Sequence, residues 1–194
     1  NANLHSFHPL LRTKGEVERI VQQSGIPYTI LRTTSLFGRD DRFSEIVYSL
    51  LLWSWPLAWL PGGGKMLVQP LWVEDYVHCL IATLDHPAML NRTVEIAGNE
   101  LISYRQLVGT ILNVTGKRRL MLPLPVALMR LLSRIFLMWW YWPAVSRYFV
   151  DRFFVPDVTA LDMVQRHFGF QPARFRETIT YLNRPGLRWR LFRH

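Results

Sequence analysis

Residues 13–32 read TKGEVERIVQQSGIPYTILR, and this stretch decides the fold. Over Thr13–Ser24, Val17, Ile20 and Val21 share one helical face while Glu16, Glu18, Arg19, Gln22 and Gln23 lie elsewhere, which predicts a surface helix. Gly25 stands where a helix-ending glycine belongs. Pro27 then opens Tyr28–Arg32, a β-favouring run that follows the helix almost at once, as in an αβ unit feeding a parallel sheet. In open α/β sheets the ligand crevice lies outside the carboxyl ends of the strands. That rule places Arg32, Thr33, Thr34 and Ser35 at the ligand end.

Working outward, Asp41–Leu60 is expected as a helix, Leu67–Pro70 as a short strand, Val73–Asp85 as a helix and Thr93–Ile96 as a strand. Ser103–Val114 carries the marks of a helix, with Ser103 as N-cap and Gly116 just past its end. Pro123 and Pro125 are expected to open an apolar helix reaching Met138. A final helical pair is expected over Val158–Phe168 and Arg174–Leu182. Gly62-Gly63-Gly64-Lys65 lacks both the spacing and the hydroxyl residue of a P-loop and reads as a turn between elements.

The 194 residues are 49% hydrophobic and 19% charged, which excludes a disordered chain and implies a packed core. A single cysteine, Cys79, rules out a disulfide framework or a Cys-rich zinc site and fits a reducing compartment. His5, His8 and His78 have no metal-binding spacing, no G-x-S-x-G elbow is present, and no metal is expected. Adjacent Asp40 and Asp41, flanked by Arg39 and Arg42, read as a solvated charge cluster at a helix start. Residues 1–115 hold nine Lys/Arg against ten Asp/Glu, whereas 116–194 hold fourteen against four, so the basic excess is confined to the carboxyl-terminal part. Twenty of the 23 basic residues are Arg, suited to phosphate, carboxylate or lipid headgroups. Six of the eight Trp fall in Ile46–Pro61 and Leu120–Val150. The first stretch is short for a membrane span and interrupted by Pro56; the second carries Arg130, Arg134 and Arg147. Neither reads as transmembrane. Two readings stay open for these Trp: a surface lying in a membrane interface, or core-filling aromatics with Arg on the solvent side.

Six pieces then carry a resemblance. Lys14-Gly15-Glu16, Ser24–Arg32, Leu36–Phe43 (LFGRDDRF), Pro61–Gly64, Pro70 with Val73-Glu74-Asp75, and Glu95-Ile96-Ala97-Gly98 occur in order over roughly Lys14–Leu182. Together they resemble the second half of atypical short-chain dehydrogenase/reductases, NAD(P)-binding Rossmann proteins of the NmrA-like kind. Phe37–Phe43 in particular is similar to the nucleotide-binding accessory subunit of respiratory complex I and its bacterial relatives. The resemblance implies an α/β chain: the carboxyl-terminal part of a Rossmann-type short-chain dehydrogenase fold plus a small mixed α/β substrate domain with a helical carboxyl-terminal region. Residues 1–40 would be the last helix and strand of the nucleotide domain, 41–182 a substrate or interaction domain, and 183–194 a basic tail. The first half, with its Gly-rich phosphate loop, is expected to precede residue 1, and NAD or NADP would need it.

The resemblance also assigns roles. In the family a Tyr four positions ahead of a Lys such as Lys14 is the acid/base, while the Lys holds the cofactor ribose. Here that position is Leu10, and the family's Pro after the strand Arg is Thr33. The cofactor-binding set expected is Lys14, Arg32, Thr33 and Thr34. Arg32, ending a buried strand, needs either a ligand phosphate or a carboxylate such as Asp40, Asp41 or Asp75. Two functions follow. One is a noncatalytic NAD(P)-binding accessory protein on a membrane-bound electron-transfer complex, cytoplasmic and peripheral at the membrane. The other is an NAD(P)H-dependent reductase of an apolar substrate. Leu10 favours the first. The expected partners are the membrane complex, an anionic lipid surface, or both, through Arg130, Arg134, Trp139, Trp140, Trp142 and Arg147. No nucleic-acid reading motif is present, and none is expected as partner.

Overall fold

The computed structural model describes residues 9–41, 43–125, 127, 128, 131 and 158–183. They form two compact units built from interleaved segments, whereas the sequence reading divides the chain serially at residue 40. The first unit takes residues up to Leu36, then Gln69–Glu100 and Asp157–Arg174; the second takes Phe37–Val68, Leu101–Pro156 and Phe175 onward.

In the first unit α1 (Pro9–Gln23) starts on a proline, whose fixed φ suits a first turn, and buries Leu11 and Gly15. Ser24 Oγ donates to the Val21 carbonyl, and Gly25 adopts φ +73°, which ends the helix. The chain then enters β1 (Thr29–Thr33), which pairs in parallel with β6 (Arg92–Ile96), Arg32 facing Glu95 and Thr33 facing Ile96. Between them lie β2 (Leu36–Phe37), β5 (Leu71–Trp72) and α3 (Val73–Leu84), whose first turn carries Glu74 and Asp75 at the positive end of the helix dipole. A short helix, α5 (Met163–Phe168), packs against α3 and β6. Leu71, Cys79, Val94, Ile96 and Val164 form the core. Burial pushes the Cys79 thiol up to about 12, so it behaves as a small apolar side chain.

In the second unit α2 (Ser44–Trp53) ends well before the Leu60 expected of it, and Leu57–Pro61 is a strand, β3. Pro56 cannot continue a helix, and the run after it alternates, with Ala58 and Leu60 buried while Trp59 is exposed. A 3-10 turn over Gly62–Gly64 follows, as the turn reading anticipates. It leads to β4 (Leu67–Val68), antiparallel to β7 (Ile102–Ser103). Helix α4 (Tyr104–Val114) is entered through a capping box: Ser103 Oγ accepts from Gln106 N–H while Ser103 N–H donates to Gln106 Oε1 at 2.7 Å. Residues 120–124, expected partly within a helix opened by Pro123, form β8 instead, parallel to β3. Among the described residues β8 pairs only with β3, and a proline is tolerated on such an edge strand. The expected carboxyl-terminal helix is shorter too: α6 (Phe175–Thr178) runs into a 3-10 turn over Ile179–Asn183. Phe37 and Phe175 pack with their rings tilted and their centroids 4.9 Å apart, in a unit that also buries Leu60, Leu107, Ile111 and Ile179.

Candidate functional site

The carboxyl ends of β1 and β6 bring together Arg32, Thr33 and Thr34 with Glu95, Gly98 and Asn99, joined by Gln69 from the segment before β5. Arg32 faces Glu95 across the ladder, with Nη1 3.9 Å from Glu95 Oε1, and reaches Glu18 on α1 in a forked pair, Nη2–Oε2 2.6 Å and Nε–Oε1 3.0 Å. The bonds to Glu18 hold the guanidinium pKa above its ordinary value, against the opposing cost of burial. The carboxylate that Arg32 requires is therefore present, but it is none of Asp40, Asp41 or Asp75. Asp75 Oδ2 accepts from Ala173 N–H at 2.7 Å. Asp41 is not a solvated charge: it caps α2, accepting from Gly38 N–H, Ser44 N–H, Ser44 Oγ–H and Glu45 N–H.

Thr34 is buried, and its hydroxyl donates to the Gln69 carbonyl at 2.6 Å. Thr33 Oγ1 donates to the neighbouring Thr34 carbonyl at 3.1 Å. The Gln69 carboxamide, fully buried, donates to the Gly98 carbonyl at 2.8 Å and accepts from Thr159 N–H at 2.8 Å. Thr159 Oγ1 in turn donates to Glu95 Oε2. Gly98 admits no side chain: a Cβ there would lie 1.9 Å from the Pro70 carbonyl oxygen. Asn99 Nδ2 donates to the Pro172 carbonyl, and its Oδ1 is buried without a partner among the described residues. Sequence reasoning missed Glu18, Gln69, Gly98, Asn99 and Thr159. Only Gly98, inside the Glu95–Gly98 piece, carried a local signal.

Lys14 is exposed on α1, four residues before Glu18 and so on the same helical row, about 6 Å along the axis. Glu18 holds the end of β1 through Arg32, and Lys14 lies one helical turn before Glu18. Leu10 lies four residues earlier on that row and is also exposed. The row thus carries a hydrocarbon, an ammonium and a paired carboxylate, with no phenol. Arg130, Arg134, Trp139, Trp140, Trp142 and Arg147 lie outside the described residues, as do His5, Ser6 and His8. Among the described residues no three metal-ligating side chains converge, and no helix is long and apolar enough to cross a membrane.

This architecture is that of Rossmann-type epimerases and reductases. The chain matches an epimerase from Methanothermobacter thermautotrophicus with a TM-score of 0.66 at 15% identity, over 100% of the chain and 54% of that protein. It matches a triphenylmethane reductase from Citrobacter, solved with NADP(H), with a TM-score of 0.68 at 16% identity, over 92% and 61%. In sequence it is 26% identical over 173 residues to subunit 9 of the alpha subcomplex of mitochondrial NADH dehydrogenase (ubiquinone) from Rattus norvegicus, covering 89% of the chain and 46% of that subunit. No family model matches. The likeness to atypical short-chain dehydrogenase/reductases and to the complex I accessory subunit therefore holds, and the α/β fold class with it. The chain spans about half the length of the curated relatives it matches first.

Proposed function

We propose that this chain belongs to an NAD(P)-binding accessory protein that docks on a membrane-bound electron-transfer complex and carries out no hydride transfer of its own. The observation that carries the reading is Leu10. In the family this chain resembles, the acid/base stands one turn before Lys14, and here a hydrocarbon side chain stands there. The similarity to a respiratory-complex subunit supports the same reading. Lys14 is assigned to the cofactor ribose, as the exposed cation one helical turn before Glu18. Arg32, Thr33 and Thr34 form the wall beneath, with Arg32 acting through its pair to Glu18. Bound NAD(P) would supply a redox-active nicotinamide, which the accessory role leaves unused.

The test uses the complete natural protein. NADH and NADPH fluorescence titrations should give binding that weakens at least tenfold in Lys14→Ala, with no nicotinamide oxidation in the presence of ketones or quinones. Lys14-dependent turnover would overturn the noncatalytic reading in favour of a reductase. Binding indifferent to Lys14 would overturn the cofactor assignment.

A further inference from the structure

The outward face of the β3/β8 pair is apolar. In-register partners of a parallel pair point to the same side, so Leu57 with Leu120 and Trp59 with Leu122 share it. Ala58 and Leu60 turn inward toward α4. Trp53 and Trp55, at the end of α2 and in the turn that follows, add to the surface beside it. Trp53, Trp55, Trp59 and Leu120 are 59%, 73%, 43% and 62% exposed. Leu120 N–H donates to the Pro56 carbonyl at 3.1 Å, which fixes the start of β8 against the Trp55–Pro56 turn. The residues just before that start are Lys117, Arg118 and Arg119. Arg119 Nε donates to the Leu51 carbonyl at 3.2 Å, so this basic run borders the tryptophans.

A protein core and a lipid surface make different demands on such a patch. A protein interface also enriches Trp and Arg, depletes Lys, and has a polar rim. An interfacial membrane surface wants Trp at its edge, whose ring is apolar with one polar N–H, and cations without anions around it. Stretches 46–68 and 101–150, which include the whole patch, contain eight Lys/Arg and no Asp or Glu. We infer that the Trp53–Trp59 turn and the β3/β8 face, with Lys117 and Arg118 at their rim, form a docking surface for an anionic lipid headgroup layer. The surface sits in the interface plane without spanning it. This deepens the membrane-docked reading above and rests on it for the setting, but uses none of the nucleotide-facing residues.

The experiment is sedimentation of the complete protein with phosphatidylcholine vesicles, with and without phosphatidylglycerol, alongside an NADPH titration of each variant. Binding should require the anionic lipid and weaken with salt. Trp55→Ala with Trp59→Ala should weaken it about tenfold, and Lys117→Gln or Arg118→Gln about fivefold each. NADPH binding should stay unchanged, since none of these residues belongs to the set assigned to the nucleotide; Trp55, Trp59 and Arg118 are exposed and Lys117 is half-buried. In the unsubstituted protein, brominated lipid should quench tryptophan emission, and the double Trp variant should lose most of that quenching, a readout independent of affinity. Vesicle binding that ignores these substitutions, or that fails with every lipid, overturns the inference; failure with every lipid leaves an acidic protein partner for the patch. Lost nucleotide binding with intact vesicle binding would overturn the accessory function and leave this surface standing.

Discussion

At the end of β1 in the first unit, Arg32 is matched inside the fold, forked onto Glu18 and faced by Glu95, whose other oxygen takes Thr159. In the second unit the long stretch after Glu100 carries its cations with no carboxylate until Asp151. Both units expose apolar side chains. On α3, Val77, Leu80, Ile81 and Leu84 form a helical stripe, yet Glu74 and Asp85 lie at its two ends. Along the chain around Trp55 and Trp59, residues 46–68 hold one charge, Lys65, and Lys117–Arg119 precede β8. Exposed apolar area alone does not tell a lipid surface from a packing surface. A second contrast concerns what seals each unit. The first is closed by a buried amide and a glycine that tolerates nothing larger, the second by rings, a helix cap and a buried acid.

The largest effect should come from Gly98→Ala. A methyl group 1.9 Å from the Pro70 oxygen and 2.8 Å from its carbon meets backbone, which cannot rotate away. A loss of about 3 kcal/mol is expected by urea unfolding. Hydrogen exchange should speed up at Leu31 and Val94 while amides of β3 and β8 keep their protection. Equal loosening in both units would break the contrast. Gln69→Leu comes next, at about 2 kcal/mol, because the Gly98 carbonyl and Thr159 N–H lose their buried partner. A neutral result would mean that water replaces the amide.

How far the sequence led can be judged from these same residues. The helix-to-strand passage over Thr13–Arg32 was legible because its signals are local: apolar spacing, Gly25 at positive φ, and Pro27 before a β-rich run. Ser103 as N-cap was legible for the same reason. Glu18, Gln69 and Thr159 were not, since each acts across a fold that spacing does not reveal; Gln69 meets Thr159 some 90 residues on. Leu57–Pro61 and Leu120–Leu124 misled in a different way. Both are apolar runs containing proline beside helical patterns, and only their pairing with each other makes them strands.

Ser103→Ala should cost about 1 kcal/mol, the usual loss of a cap whose oxygen accepts an N–H of the first turn. Its readout is local. Fraying should appear at Tyr104–Leu107 by exchange, without change at β1 or β6. Restoration by Ser103→Asp, which also accepts at a helix start, would confirm that the cap and not the side-chain volume is responsible. If Ser103→Ala is silent, the Gly62–Gly64 turn, where Gly64 lies against Arg105 in the first turn of α4, holds the helix start instead.

The smallest effect, and the one that best separates the units, is in pH. The first unit's half-buried cation is an arginine, which does not titrate in any accessible range. The second unit half-buries Asp41, and the loss of solvent raises its pKa above the ordinary carboxylate value, with the four hydrogen bonds it accepts opposing the rise. Tyr181 OH lies 2.6 Å from Ser44 Oγ, which donates to Asp41, and burial pushes the phenol pKa up as well, so it stays protonated and able to donate. A carboxyl whose folded pKa exceeds its unfolded value, near 3.9, binds more protons when folded between the two. Its stabilising share is therefore complete below the unfolded value and is lost as pH rises through the folded one, opposite to a salt-bridged carboxylate. Asp41→Asn removes that titration. It also turns an NH2 toward Gly38 N–H and Ser44 N–H, which adds a constant cost at every pH. The slope of the difference, rather than its size, reports on Asp41: natural protein minus variant should fall as pH rises from about 4. A flat difference, or one that rises, would mean that the hydrogen bonds outweigh burial and that Asp41 behaves as an ordinary cap.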